Sequence, residues 1–176
     1  MSMVSREIHR STFDTGAGSQ TINVELAPLD LSHARELLLD LTVTKADLDF
    51  ADNLDVKFQD TIDRLKWHTR ARFPLITGEL TPSASAPIYR RLALQQIVDL
   101  AATEESYTPS GSIENVEPAS GSVINGPFPG IFRGQVGNAQ GVFRQPSWRF
   151  SIVVTDSDSD GVFEGTLRVF AVTESS

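Results

Sequence analysis

The sequence predicts an all-β protein, an antiparallel β-sandwich, on three observations. First, Leu54, Val56 and Phe58 alternate with Asp55, Lys57 and Gln59, and after a polar interruption at 60–64 the set Leu65, Trp67, Thr69, Ala71 and Phe73 alternates with Lys66, His68, Arg70 and Arg72. Side chains point to opposite faces along a strand, so this reads as two half-buried strands in an antiparallel hairpin, with one face packed and one wet. Second, Trp148, Phe150, Ile152 and Val154, then Phe163, Leu167, Val169 and Ala171, repeat the same period of two. Third, 176 residues with 40% apolar content, ten Phe and two Trp suit one domain with a single core. Burying each Phe there stabilises the fold by about 1.5–3 kcal/mol.

The remaining elements follow in chain order. Residues 1–20 are polar and carry the breaker run Thr15-Gly16-Ala17-Gly18-Ser19, which predicts a loose segment or a short edge strand from about Glu7 to Phe13. Ile22, Val24 and Leu26 form a short strand that stops at Pro28. Leu37, Leu39, Leu41 and Val43 share one parity, and the β-branched Thr42, Val43 and Thr44 favour strand over the helix that Leu37-Leu38-Leu39 could open. Residues 45–53, KADLDFADN, read as an acidic turn with solvated carboxylates. The loop signals Gly78, Pro82 and 83–87 precede Ile88 to Leu100. Strand parity there groups Ile88, Leu92, Leu94, Val98 and Leu100, while helical spacing groups Tyr89, Leu92, Ala93, Ile97 and Leu100. Strand is preferred because the neighbours on both sides are strands.

Residues 103–146 turn to Gly, Ser, Pro and Asn with isolated apolar residues, a length seldom left structureless in a compact domain unless it is functional. Two or three short strands would explain it. The sharper reading is an extended arm. Phe128, Ile131 and Phe132 sit among glycines and prolines, cannot make a core of their own, and would need a neighbouring subunit to cover them. Finally, Thr155 to Gly161 is rich in turn formers and reads as a hairpin connection between the last two strands, with Gly165 a bulge or a site of close packing.

Charge and composition narrow the chemistry. A net charge of −8 argues against direct nucleic-acid binding through a global positive field. No Cys occurs, which removes disulfides and thiolate metal sites. The start, MSMVSREIHRSTF, lacks a signal peptide's apolar core, and no run approaches the roughly 20 apolar residues of a membrane helix, so a soluble product of the cytoplasm is expected. Asp156, Asp158, Asp160 and Gly161 match the first half of a calcium loop, but Leu167 stands where a bidentate Glu is required. A Ca²⁺ site there, with Glu164 assisting, competes with a solvated acidic turn, and the turn is favoured.

His9, His33 and His68 show no metal spacing, and neither a nucleophile elbow nor a phosphate loop occurs, so the chain is expected not to be an enzyme and to hold no cofactor. The basic set Lys66, His68, Arg70 and Arg72 reads as the wet side of the hairpin. Alternatively it docks an acidic surface, such as residues 45–55 or 156–160 of a symmetry mate.

The order VELAPLDLSHARELLLDLTVT, LDVKFQDTIDRLKWHTRARFP, a breaker-rich middle and WRFSIVVTDSDSDGVFEGTLRVFAV resembles small virion structural proteins of tailed bacteriophages and gene-transfer particles. In that group an L-D-V-x-x-Q strand leads through a turn to a Trp-containing strand ending in Phe, and a Trp-x-Phe strand precedes a final Phe-rich one. Here Asp60-Thr61-Ile62-Asp63-Arg64 replaces the group's Gly-rich turn. The resemblance implies a jelly-roll-like sandwich serving as a capsid decoration or auxiliary head protein, or else a tail component. It also implies location in the virion and contacts with the major capsid protein, other virion proteins and copies of itself. Phe128, Ile131, Phe132, Lys66, Arg70 and Arg72 are the expected contact residues. The rival reading is a carbohydrate-binding sandwich, which needs an exposed aromatic platform. Trp67 and Trp148 sit on apolar parity, so only Tyr89 and Tyr107 would remain to supply it.

Overall fold

A computed structural model describes residues 3–27, 29, 31, 34–47, 51–61, 65, 67–78, 82–96, 117–125, 147–159 and 161–174. Among them are ten strands: β1 (Met3–Asp14), β2 (Gln20–Glu25), β3 (Glu36–Ala46), β4 (Asn53–Thr61), β5 (His68–Arg72), β6 (Ile76–Thr77), β7 (Ile88–Gln95), β8 (Ser122–Val123), β9 (Ser147–Thr155) and β10 (Phe163–Glu174). The expected all-β antiparallel sandwich is what forms. One sheet has the order β1-β10-β3-β7. The other runs β2-β9-β4-β5-β8, with β6 against β4.

Setting aside the two-residue β6 and β8, four of the six antiparallel pairs are β4 with β5, β3 with β7, β2 with β9 and β1 with β10, and β10 with β3 and β4 with β9 join them into the two sheets. The first four nest like one long hairpin whose tip is the β4–β5 turn, rolled so that successive pairs alternate between sheets. That is the wiring of a jelly roll. The segment from Leu54 to Phe73 is therefore the tip of the rolled ribbon.

The core lies where the inward parity of both sheets meets. Leu37, Leu39, Leu41 and Val43 of β3 and Phe163, Leu167 and Val169 of β10 face Leu54, Val56 and Phe58 of β4 and Trp148, Phe150, Ile152 and Val154 of β9, all buried. Phe58 stacks on Trp148 at 5.0 Å between ring centroids and meets Phe150 at the same distance. Such offset aromatic contacts add to the area term.

Several expectations need correction. The N-terminal segment is a twelve-residue strand paired with β10 along its whole length, where a loose stretch or a short edge strand from Glu7 was expected. Residues 155–161 do not close a hairpin, because β9 and β10 lie in different sheets and the connection crosses between them. Alternation shows which side of a strand is buried and is silent about its neighbour. Leu65, placed on the packed face by parity, is 84% exposed, since β5 begins only at His68.

Part of the supposed arm belongs to the sandwich. Residues 117–125 lie along β5, where Gly121 and Ile124 donate N–H groups to the carbonyls of Arg72 and Arg70 at 3.0 and 2.7 Å. The Asn125 side chain then accepts the N–H of Gln95 at the end of β7. This strap joins the two sheets along one side. Phe128, Ile131 and Phe132 lie outside the described residues.

Candidate functional site

Three connections converge at one end of the sandwich: β1 to β2, β3 to β4 and β9 to β10. Residues 14–20, 46–53 and 155–162 contain seven aspartates and no Lys or Arg. The chain has 23 acids and 15 bases, so the remainder stands at sixteen acids against fifteen bases and nearly all of the net charge of −8 resides in these loops. Like charges so gathered must be held against their own repulsion.

The holding groups are backbone amides. Asp156 accepts N–H bonds from Gly18 at 3.0 Å, Asp158 at 3.2 Å, Ser159 at 2.9 Å and Gly161 at 2.9 Å. The Ser19 hydroxyl bridges the Asp156 N–H and C=O, both at 2.9 Å. Loss of water works to raise the Asp156 carboxyl, but the amides of Ser159, Asp158, Gly161 and Gly18 hold it below the ordinary carboxylate range. Gly161 sits in a tight space, because a Cβ would come to 3.0 Å from the Asp47 carbonyl and 3.2 Å from Asp156 Oδ2. Asp52 is 1% exposed, and its carboxylate accepts the Ser157 N–H at 2.8 Å. Thr15 Oγ1 accepts the Phe163 N–H at 3.0 Å.

Carboxylate oxygens of Asp52, Asp156 and Asp158 lie within 4.8 Å of one another, a spacing one hard cation could span. Of the expected trio Asp156, Asp158 and Asp160, the third lies outside the described residues. Asp52, expected to be solvated in its acidic turn, is instead buried and part of the cluster. Its signal was present in KADLDFADN, but only the crossing of the β9–β10 connection brings it to Asp156. The amide bonds account for the cluster's shape without a metal. Asp156→Ala is expected to lower the melting temperature more than Asp158→Ala, because the Asp156 carboxylate accepts the amide of Gly18 in another connection as well as three amides of its own. Equal losses in thermal melts would refute that account.

The hairpin's outer face is the second candidate. Arg72 Nε donates to Asp55 Oδ1 at 2.9 Å, Arg70 Nη1 lies 3.1 Å from Asp60 Oδ2, and Lys57 Nζ lies 2.8 Å from Glu117 of the strap. The guanidinium groups expected to meet a partner are thus engaged by acids of the same chain, and Lys66 lies outside the described residues. Asp60 is buried deeply enough that desolvation raises its carboxyl, although Arg70 and His68 pull it back. A fold irregularity helps bring the pair together, since the β4–β5 register shifts between Phe58 and Gln59. Farther along, Gln59 Nε2 donates to Thr69 Oγ1 at 3.0 Å, Gln59 Oε1 accepts from Arg149 Nε at 2.8 Å, and the Arg149 guanidinium lies 4.1 Å over the Trp67 ring. Trp67 is half-buried, not buried as parity suggested, with a cation over its ring. Tyr89, the exposed aromatic, gives its hydroxyl to Asp40 at 2.7 Å.

The histidines remain apart. His9 is half-buried near Phe150, where loss of water lowers its basicity, His68 is half-buried on β5, and His33 lies outside the described residues. Compared with protein-family models, curated proteins and solved structures, the chain finds no significant match in any of the three.

Proposed function

We propose that this chain is a non-enzymatic structural subunit of a virion, a capsid decoration or auxiliary head protein carried on a jelly roll. The observation that supports this most is the separation of charge from contact surface. The aspartates gather at one end of the sandwich, whereas β7 ends at Gln95 and β9 begins at Ser147 at the other. An acidic end turned outward from a particle avoids the packaged nucleic acid, and the opposite end is left for the shell. The resemblance points the same way. Its L-D-V-x-x-Q segment is β4 and its Trp-x-Phe segment is β9, strands that pair in the middle of one sheet.

A glycan-binding reading has less support, because the Trp67 ring carries the Arg149 guanidinium and the Tyr89 hydroxyl is committed to Asp40. Antibody raised against the full chain should decorate intact heads in electron micrographs of particles from the organism that encodes it. Particles that never label, with all of the chain recovered free of them, would overturn the reading.

A further inference from the structure

A sheet edge is a row of unpaired amides and carbonyls, and a fold protects such rows or uses them. Three of the four edges here are shorter: β8 has two residues, β2 has six, and β7 has eight, with its end held at Gln95 by Asn125. The fourth is β1, twelve residues long, and among the described residues no strand lies against its outer side.

Its first half is bare in another sense. Met3, Val4, Ser5, Arg6 and Glu7 are all exposed, so neither face of the strand is covered, and Met3 and Val4 stand 55% and 48% exposed. The register shift between Glu7 and His9 interrupts the edge only beyond this stretch.

We infer that Met3–Glu7 is a strand-pairing surface for a second copy of this chain, β1 lying antiparallel to β1 of the copy across a two-fold axis at Ser5. Backbone donors and acceptors on a straight edge fit an extended segment, as in other strand additions. Charge selects the register. Centred on Ser5, the stretch pairs with itself completely, Met3 opposite Glu7 and Val4 opposite Arg6 of the copy, with no like charges directly opposed. Moving the axis to Arg6 or Glu7 sets each charge against its own image, which is destabilising. Two four-stranded sheets would then join edge to edge into one through an isologous contact. The inference goes beyond the particle reading and does not depend on it.

The absence of cysteine in the natural chain makes the test clean. Directly opposed residues of antiparallel strands have Cα atoms about 4.5–5.5 Å apart, inside the span of about 4.4–6.8 Å that a disulfide bridges. Under mild oxidation the full-length Ser5→Cys variant should link into a dimer at least about tenfold faster than Thr21→Cys, a control on the exposed side of the β2 edge. Ser5→Lys, which sets two ammonium groups on the axis, should raise the dimer dissociation constant in sedimentation by about tenfold or more, the equivalent of about 1.4 kcal/mol. Melting curves of each variant establish that it is folded. Equal linking rates for the two cysteine variants, or a wild-type chain monomeric at every concentration, would overturn the inference.

Discussion

Gly165→Ala is expected to destabilise the protein by about 3 kcal/mol, at the upper end of what overpacking a core costs. The reason is space. Gly165 lies on the inward parity of β10, where a Cβ would collide with the carbonyl oxygen of Thr42 on β3 and approach Phe13 Cζ and Cε1 at 2.7 and 2.8 Å. The phenyl ring could give way, but the carbonyl belongs to the backbone of the neighbouring strand. The β10–β3 register shifts between Glu164 and Gly165, so the two chains meet here in a bulge, and the missing side chain is what lets them close. Gly16→Ala separates space from conformation. Nothing lies within 4 Å of its Cβ position, but its φ of 49° falls in the left-handed region, and the cost should be about 1 kcal/mol. Truncating Phe13 together with Gly165→Ala should recover little, since the Thr42 carbonyl remains. Urea denaturation of the three variants decides it, and a Gly165→Ala chain as stable as wild type would refute the packing account.

Gly165 also shows how far the sequence could be read. A glycine inside an alternating run announced either a bulge or a close approach, and both occur, because strand parity leaves only backbone reasons for omitting a side chain. The inward residues of β3, β4, β9 and β10 were legible on the same ground: burial of one face imposes a period of two. Neighbours were not legible. Nothing in Trp148 to Ala171 distinguishes two strands that pair from two that face each other across the core, and a turn-rich connection serves either case. Leu65 misled because alternation carried a strand into what is a turn.

The acidic loops were legible as a composition and opaque as a structure. Asp52 and Asp156 are far apart in the chain, and only the folded ends of three connections turn them into acceptors for amides of a neighbouring connection, Ser157 for Asp52 and Gly18 for Asp156. The polar faces were misread for a related reason. Parity assigns Asp55, Lys57 and Gln59 to the outside, but it cannot show that Arg72, Glu117, Thr69 and Arg149 arrive to pair them. The 103–146 segment was visible only as a change of composition. Its strap at 117–125 has too few apolar residues to announce a strand, and pairing with β5 supplies what its own sequence lacks.

Replacing Asp40 should produce the other large loss, and this one depends on pH. Asp40 points out from β3 and is nonetheless fully covered, because its register neighbours across β10 and β7 are Arg168 and Arg91. Arg91 grips it with two bonds, Nε to Oδ1 at 2.6 Å and Nη2 to Oδ2 at 2.8 Å, while the Tyr89 hydroxyl donates at 2.7 Å and Arg168 Nη2 stands at 3.3 Å. Desolvation works to raise the carboxyl's pKa, but the donors from Arg91 and Tyr89 and the two guanidinium charges outweigh it, and the pKa lies below the ordinary carboxylate range. Removing one partner of a buried pair costs about 3–5 kcal/mol. Arg91 is half-exposed and can rehydrate, so Asp40→Ala should fall at or just below the lower limit, at about 2–3 kcal/mol.

The sign of the pH effect follows from linkage. A depressed carboxyl contributes its full stability above the unfolded value, near 3.8, and loses it as pH falls through the lower folded value. The gap between wild type and Asp40→Asn, wide at neutral pH, should therefore close in denaturant titrations below that value. Double-mutant cycles should assign a larger coupling to Arg91 than to Arg168, because two parallel charge-assisted bonds hold a carboxylate better than one long contact. A gap that is constant with pH would mean that Asp40 acts through shape and not through its charge. The polar row across β10, β3 and β7 would then be covered surface, with no electrostatic contribution to the fold.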